Sequence, residues 1–513
     1  MKNKKGFTLI ELLAVIIILA VIALIATPIV LNVVDNARKS ANKDSAYGLL
    51  DSAKLYYMES LLDESKSLSG NLIDKINVSG RKPDSGTVYI NNKGETALAV
   101  VYDKTCFIKN YSDTDLTESD DIKNCIVTVP RELYKDNVLN GADPELKDNL
   151  VAVTINNDGI VKKADIYSEW YNYTNKTWAN AVLLNGDDTY KVGDTIEENN
   201  IKAYYVWIPR YKYQIFYDGT NATTKQLINI TFESKDTTKS NGTTKDSWLT
   251  HPAFTFGDTE LNGIWVGKFE LTGDTTNPTI KPNVESLRNQ NVSTLFLTTQ
   301  KLSTNAAMLK NIEWGAITYL TTSIYGQGLN EVRINNSNTF ITGCAASVEN
   351  GTSYNGCENK YNTSIGYLAS TTGNISGIYD MSGCSWEYVM GVMEDSLNSN
   401  VPASGYNTQY NSGYNGKNLN DGTTTTGVSF PESKYYDIYK YGTSNSDYTR
   451  YHLGDATTET KGWNGDYKNF VYSSGPWFLR GGVCSNGTNA GALAFYNTHG
   501  HAYSSYSVRA VLR

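Results

Sequence analysis

Glu11 is the only charge in an apolar run that continues to Val34. A carboxylate at the centre of a bilayer costs roughly 3 kcal/mol, so one that stays there points to a function. The run is long enough to cross a bilayer as a helix. Lys2, Lys4 and Lys5 precede it, ahead of Gly6-Phe7, and basic residues in that place remain cytoplasmic. An ordinary secretory signal has a shorter apolar core and a small-residue cleavage site after it, which this run lacks. A plain single-span anchor gives Glu11 no reason to be there. Pro28 lies inside the span, where it removes one backbone hydrogen bond and should bend the helix.

The other reactive side chains are six cysteines and four histidines. Cys106 and Cys125 enclose one polar loop, and Cys344 and Cys357 enclose another. Each pair is an expected disulfide in an exported protein, although sequence leaves the connectivity open. Cys384 and Cys484 either pair with each other or stay free. No cysteine pair has zinc-ligand spacing backed by histidine, so no structural zinc is expected. Of His251, His452, His499 and His501, the last two form a His-Gly-His pair. Imidazole is a common metal ligand, but this spacing alone is a weak signal, and no metal site is expected. No nucleophile–base–orienter set stands out.

These residues need elements to position them. A chain of 513 residues implies two or more domains, and a net charge of -8 argues against nucleic acid as the main partner. The 37 tyrosines, with abundant Asn, Ser, Thr and Gly, suit a β-rich extracellular surface, because Tyr gives rigid contact area at low entropic cost. Helical character continues from Ala37 to about Asp63, with Leu49, Ala53, Tyr56 and Tyr57 on one side. Strands are expected at Thr87–Ile90, Ala97–Tyr102 and Val151–Ile155, forming a small antiparallel sheet packed on that helix. The polar stretch from Ala142 to Asp148 reads as a connection. From about Trp170, short strands and Gly/Asn turns take over. Tyr204–Tyr213 reads as one strand, Gly263–Glu270 as another, and Asn311–Ser323 as a helix. Pro402–Thr426 reads as a long ordered loop.

The stretch KKGFTLIELLAVIIILAVIALIATPIV closely resembles the class III signal of type IV pilins and pseudopilins. In that family a prepilin peptidase cuts after the glycine and methylates the new N-terminus. The resemblance implies a cut between Gly6 and Phe7, a methylated Phe7, and a Glu11 that pairs with the N-terminal ammonium of a neighbouring subunit during assembly.

In the second half VWIPRYKY, GIWVGKFE, EWGAITYL, GIYDMSGCSWEYV, FLRGGVC and a terminal SVRAVLR follow in that order. The order resembles the formylglycine-generating-enzyme family, whose fold is a variant of the C-type lectin fold. That family's G-L-x-D-M-x-G-N-V-W-E-W is matched by GIYDMSGCSWEY, its R-G-G-S by Arg480-Gly481-Gly482-Val483, and its closing G-F-R approximately by Ser507-Val508-Arg509. The resemblance covers roughly Tyr204 to Arg513 and marks Asp380, Trp386, Glu387, Arg480, Gly481, Gly482 and Arg509 as a fold signature. Trp386 is expected as a core ring, Glu387 as a buried, hydrogen-bonded carboxylate and Arg480 as a structural ion-pairing or backbone-binding residue. Catalytic members bind copper through two cysteines after the RGG segment. Only Cys484 stands there, and the related sulfoxide-forming branch needs three histidines on iron. No catalysis and no cofactor are therefore expected.

Val483–Ser507 reads VCSNGTNAGALAFYNTHGHAYSSYS, with no Lys, Glu, Gln, Met or Trp. Every residue in it is reachable from an Asn codon by replacing adenines. This resembles the variable proteins of diversity-generating retroelements, which carry C-type-lectin-like domains with RGG, a polar and aromatic variable stretch and a final arginine. An ordinary exposed Gly/Asn/Ser/Tyr loop has a similar look, as Gln409–Gly416 does. The resemblance implies a scaffold of Gly487, Ala490-Gly491, Ala494-Phe495 and Val508-Arg509. Its ligand-binding residues would be Val483, Ser485, Asn489, Tyr496, Asn497, Thr498, His499, His501, Tyr503, Ser504 and Tyr506.

The expected architecture is α+β. Residues 1–6 are a leader, 7–64 the transmembrane and pilin helix, 65–165 a pilin-like head, 166–203 a connection and 204–513 a loop-rich lectin-like domain. The expected function is surface display and binding of an extracellular protein or glycan. Its partners are other pilin subunits, the prepilin peptidase and the membrane. The alternatives are a metal- or oxygen-dependent modifying enzyme and a structural pilin or pseudopilin of a secretion or DNA-uptake machine.

Overall fold

A computed structural model describes residues 8–513 except 64–65, 67, 69, 79, 92–93, 112, 128–132, 148, 217–218, 220–223, 244–245, 349–350, 397–398, 400–401 and 403–429. Gly6 and Phe7 lie outside the described residues, as does nearly all of the stretch from Pro402 to Thr426. The chain divides into two units after Leu133.

In the first unit α1 (Leu9–Ser60) runs for 52 residues through Pro28. Thr8 caps it: its hydroxyl accepts from the Glu11 amide, and the Glu11 carboxylate accepts from the Thr8 N–H at 2.8 Å. This reciprocal box satisfies first-turn donors that lack a helical partner. The large apolar side chains from Leu9 to Val34 are exposed, and α1 is long and apolar enough there to cross a membrane. Further on, Ala46, Leu49, Leu50 and Ala53 are buried against a sheet, with Tyr56 and Tyr57 at its margin. Each buried leucine contributes about 2 kcal/mol. The sheet pairs Ser85–Ile90, Thr96–Tyr102, Thr105–Lys109 and Thr117–Ser119 antiparallel in chain order. The Cys106–Cys125 disulfide closes it, and Cys344–Cys357 is bridged in the second unit. Cys384 and Cys484 are buried thiols.

The head therefore ends earlier than expected. Leu150–Ile155 pairs with Asn180–Leu184 in the second unit, because both faces of that strand meet its core. Residues 166–203 are no connection either, since Trp170, Tyr171, Tyr173 and Trp178 are core residues. The indoles of Trp207 and Trp265 donate to the carbonyls of Ala142 and Glu145, which fixes the stretch read as a linker. Tyr204–Tyr213 breaks into two strands, Ile201–Pro209 and Tyr211–Gln214, in different sheets. The break is Arg210, whose amide donates to Asn262 and whose buried guanidinium meets Glu260 at 2.7 Å.

Two sheets organise the second unit. The first has seven strands in the order Ala306–Met308, Ala510–Leu512, Gly263–Gly267, Ile201–Pro209, Asn180–Leu184, Leu150–Ile155 and Val161–Lys163. The second runs Asp437–Tyr439, Trp386–Met393, Trp477–Gly481 and Gly491–Thr498, and Tyr506–Val508 also pairs with Trp386–Met393. Among the described residues the α-helices of this unit are α2 (Val292–Thr299) and the fully buried α3 (Asn311–Thr321). A Cβ on Gly315 of α3 would lie 1.8 Å from the Gly454 carbonyl oxygen, so only glycine permits that approach.

Beside that contact the buried Glu459 accepts hydrogen bonds from the Tyr213 and Tyr319 hydroxyls and the Gly454 amide. Burial pushes its carboxyl up to about 7, from 4.5. The folded state thus holds a proton that the unfolded chain releases. That stability is fully present below the unfolded value and is lost as pH rises through about 7. The melting temperature should fall from about pH 5 to about pH 8, by the equivalent of about 3 kcal/mol from this group. Glu459→Gln should flatten that slope, and an unchanged slope in the variant would show that Glu459 is not the group responsible.

Candidate functional site

The candidate surface sits on the second sheet and follows from strand alternation. Glu387 is opposite Arg480, which is opposite Phe495, and all three point inward. Their neighbours Trp386, Tyr388 and Tyr496 occupy the other face, because successive side chains in a strand alternate.

The inner face is a frame of buried charge. Arg509 donates to both Glu387 oxygens (Nε at 3.1 Å, Nη2 at 2.6 Å) and to the carbonyls of Gly267 and Tyr379. Arg480 donates to Asn311 Oδ1 and to the carbonyls of Asp455 and Ala456, each at 3.1 Å, between the rings of Trp314 and Phe495. Asp380 accepts from Asn335 and from the Gly343 amide. Burial pushes Asp380 up to about 6, and burial with the Glu387 and Asp380 charges drives Glu270 well above the carboxylate range. Gly481 and Gly482 both have φ near +85°, and a Cβ on Gly482 would lie 2.6 Å from Ala490 Cα, so the Arg-Gly-Gly turn admits no larger residue.

The outer face is aromatic. Trp386 lies 5.6 Å from Tyr496 and 6.0 Å from Tyr467, and Tyr467 lies 5.9 Å from Tyr496. A second group joins Tyr388 to Tyr506 at 5.5 Å, Tyr506 to Tyr503 at 4.9 Å, and His501 to both Tyr503 and Tyr506 at 5.9 Å. His499 continues the row 5.9 Å from His501. The Tyr388 hydroxyl donates to the His501 carbonyl and fixes the loop.

Ser485, Asn489, Tyr503 and Ser504 are exposed, whereas Tyr496, Asn497, His499, His501 and Tyr506 are half-buried. Val483 and Thr498 are buried and present no side chain to a ligand. Asn497 turns its amide to the Phe470 carbonyl at 3.1 Å. Tyr467 is half-buried and joins the aromatic group, whereas Tyr388 is fully buried and supports it from within by packing on Tyr506. Sequence reasoning passed over both. The period-two pattern around Glu387 was the available signal for Tyr388, and Tyr467 lay in a loop with none.

Arg509→Met should destabilise the protein by about 3–5 kcal/mol, because it strands a buried carboxylate. Adding Glu387→Leu should recover part of that loss. A double variant no more stable than Arg509→Met, in thermal unfolding of the detergent-solubilised chain, would show that the pair does not act as a unit.

Residues 1–27 match the prokaryotic N-terminal methylation motif. No curated protein sequence matches the chain significantly. Two solved structures superpose on it, both at 10% identity and a TM-score of 0.26. They are the Major Tropism Determinant M1 variant, with 83% of each chain covered, and the U1 variant, with 83% of this chain and 94% of that one covered. A superposition at that score does not establish a shared fold. The motif implies processing by a prepilin peptidase and assembly with other pilins. Together with the exposed apolar helix it places the chain in the bacterial cytoplasmic membrane as a precursor and then at the cell surface or pilus.

Proposed function

We propose that this is a specialised pilin-like subunit whose C-terminal unit recognises an extracellular protein or glycan. Two aromatic groups, Trp386–Tyr496–Tyr467 and Tyr506–Tyr503–His501, on a sheet that buries the Arg509–Glu387 pair on its other face, carry this reading. Burial lowers the proton affinity of His499 and His501, so both rings are neutral at physiological pH. Rigid Tyr and adaptable Asn, Ser and His make contact area and short-range hydrogen bonds without long-range steering. The engagement of Glu387 by Arg509, and of Arg480 by carbonyls, supports a structural role for the signature residues and so binding over catalysis.

The lectin-like reading of the second unit belongs to the same proposal, as does diversification of Val483–Ser507. Exposed Ser485, Asn489, Tyr503 and Ser504 flank the buried Ala490–Phe495, so substitution at the former leaves the core untouched. A reverse transcriptase gene and a near-repeat of this coding stretch beside the gene would support diversification, and a neighbourhood without them would remove it.

At the other end, cleavage falls between Gly6 and Phe7. Mass spectrometry of the mature chain should find methylated Phe7 at its N-terminus. Glu11→Ala should be cleaved yet enter filaments poorly, because Glu11 is costly in lipid unless it meets a cation. Normal incorporation into sheared filaments would remove the assembly role of the carboxylate. For the surface, Tyr503→Ala should keep the melting temperature and weaken target attachment by about 2 kcal/mol or more, as truncating a Tyr hot spot does. Trp386→Ala should instead destabilise by about 3–5 kcal/mol. Undiminished attachment by a folded variant lacking both Tyr503 and His501 side chains would move the binding site elsewhere.

A further inference from the structure

Four of the six cysteines are bridged to each other, so within the chain Cys384 and Cys484 have only one another. They lie in the two turns that frame the signature. Cys384 follows Asp380-Met381-Ser382-Gly383 with φ at 58°, and Cys484 follows Arg480-Gly481-Gly482-Val483. Two backbone hydrogen bonds tie the turns together: Gly383 N–H to Gly481 O at 3.1 Å and Cys484 N–H to Cys384 O at 3.0 Å. Standard bond lengths added to the second bond cap the separation of the two Cα atoms at roughly 7 Å, the upper edge of the span a disulfide bridges, and the bond angles along that path bring them closer. The Cys384 sulfur now rests 3.7 Å from the Ile341 carbonyl oxygen, so bridging requires a side-chain rotation.

We propose that Cys384 and Cys484 form a third disulfide during export, one that fixes the root of the C-terminal surface segment to the turn that carries Asp380. Both thiols give up their protons and together two electrons. One S–S bond forms between them as the disulfide of an envelope thiol oxidant is cleaved to a dithiol, through a mixed disulfide. Both sulfurs are buried in the finished unit, so the exchange takes place while the chain folds. The bridge ties down the residue just before exposed Ser485, and the Arg509–Glu387 pair holds the far end of the same segment. The surface between these points then varies or moves without loosening its ends. This inference does not depend on what the surface binds.

The test is peptide mapping of the full chain purified from the cell surface, denatured in the presence of N-ethylmaleimide before digestion and kept non-reducing. The expected result is one peptide pair joined through Cys384 and Cys484, two hydrogens lighter than the separate peptides, with neither cysteine alkylated. Alkylation of both, in protein whose Cys106–Cys125 and Cys344–Cys357 bridges are intact, overturns the proposal, because those bridges certify an oxidising route. Cys384→Ser should leave Cys484 alkylatable after denaturation and lower the melting temperature. A folded variant with an unchanged melting temperature would also count against the bridge.

Discussion

The second unit depends on one ion pair. Arg509 and Glu387 are fully buried, and removing two charges from water costs several kcal/mol per ion unless every donor finds a partner. Arg509 bonds both oxygens of Glu387 and the carbonyls of Gly267 and Tyr379, so each of its three guanidinium nitrogens has a partner. Glu387 belongs to the second sheet and Gly267 to the first. Arg509 itself falls between Tyr506–Val508, in the second sheet, and Ala510–Leu512, in the first. One side chain therefore holds the point where the last segment crosses between sheets.

The pair also sets register. A strand that slips by one residue exchanges its two faces. With Glu387 fixed inward against Arg509, Trp386 and Tyr388 must face the other way. The pairing of Arg480 with Phe495 likewise turns Tyr496 toward Trp386. The aromatic surface is thus a consequence of where the charges are buried. Fold specificity is the best-attested use of a buried ion pair, whose net stabilisation is small.

Legibility in the sequence follows the range of the interaction. Glu11 and its apolar run speak through composition alone, and α1 and α3 through periodicity, so they were read with near-correct bounds. Val151–Ile155 reads as a strand, but nothing local says that its partner is Asn180–Leu184 in the second unit and not the sheet on α1. Arg210 interrupts a run of bulky residues through Glu260 and Asn262, both remote in sequence. The candidate surface was half legible. Tyr503 and Ser504 sit in a loop and are exposed, but Val483 and Thr498 are small residues beside signature elements and are buried. A codon pattern reports which residue types occur and not which way they point.

Charge is distributed in a way that separates stability from recognition. Beneath the sheet lie the buried charges of Asp380, Glu387, Arg480 and Arg509, beside a buried Glu270 that burial and its acidic neighbours push toward the neutral form. Above it the row contains only Trp, Tyr and neutral His. A substitution below leaves a charge without its partner and costs stability. One at an exposed position above, such as Tyr503, alters contact area while every buried charge keeps its bonds. Residues that bridge the two layers obey the lower rule even where they lie within Val483–Ser507. Asn497 is one, since its amide serves the Phe470 carbonyl. Substitution that leaves the core untouched is therefore open to exposed residues such as Ser485, Thr488, Asn489, Ala502, Tyr503 and Ser504, a narrower set than the stretch as a whole.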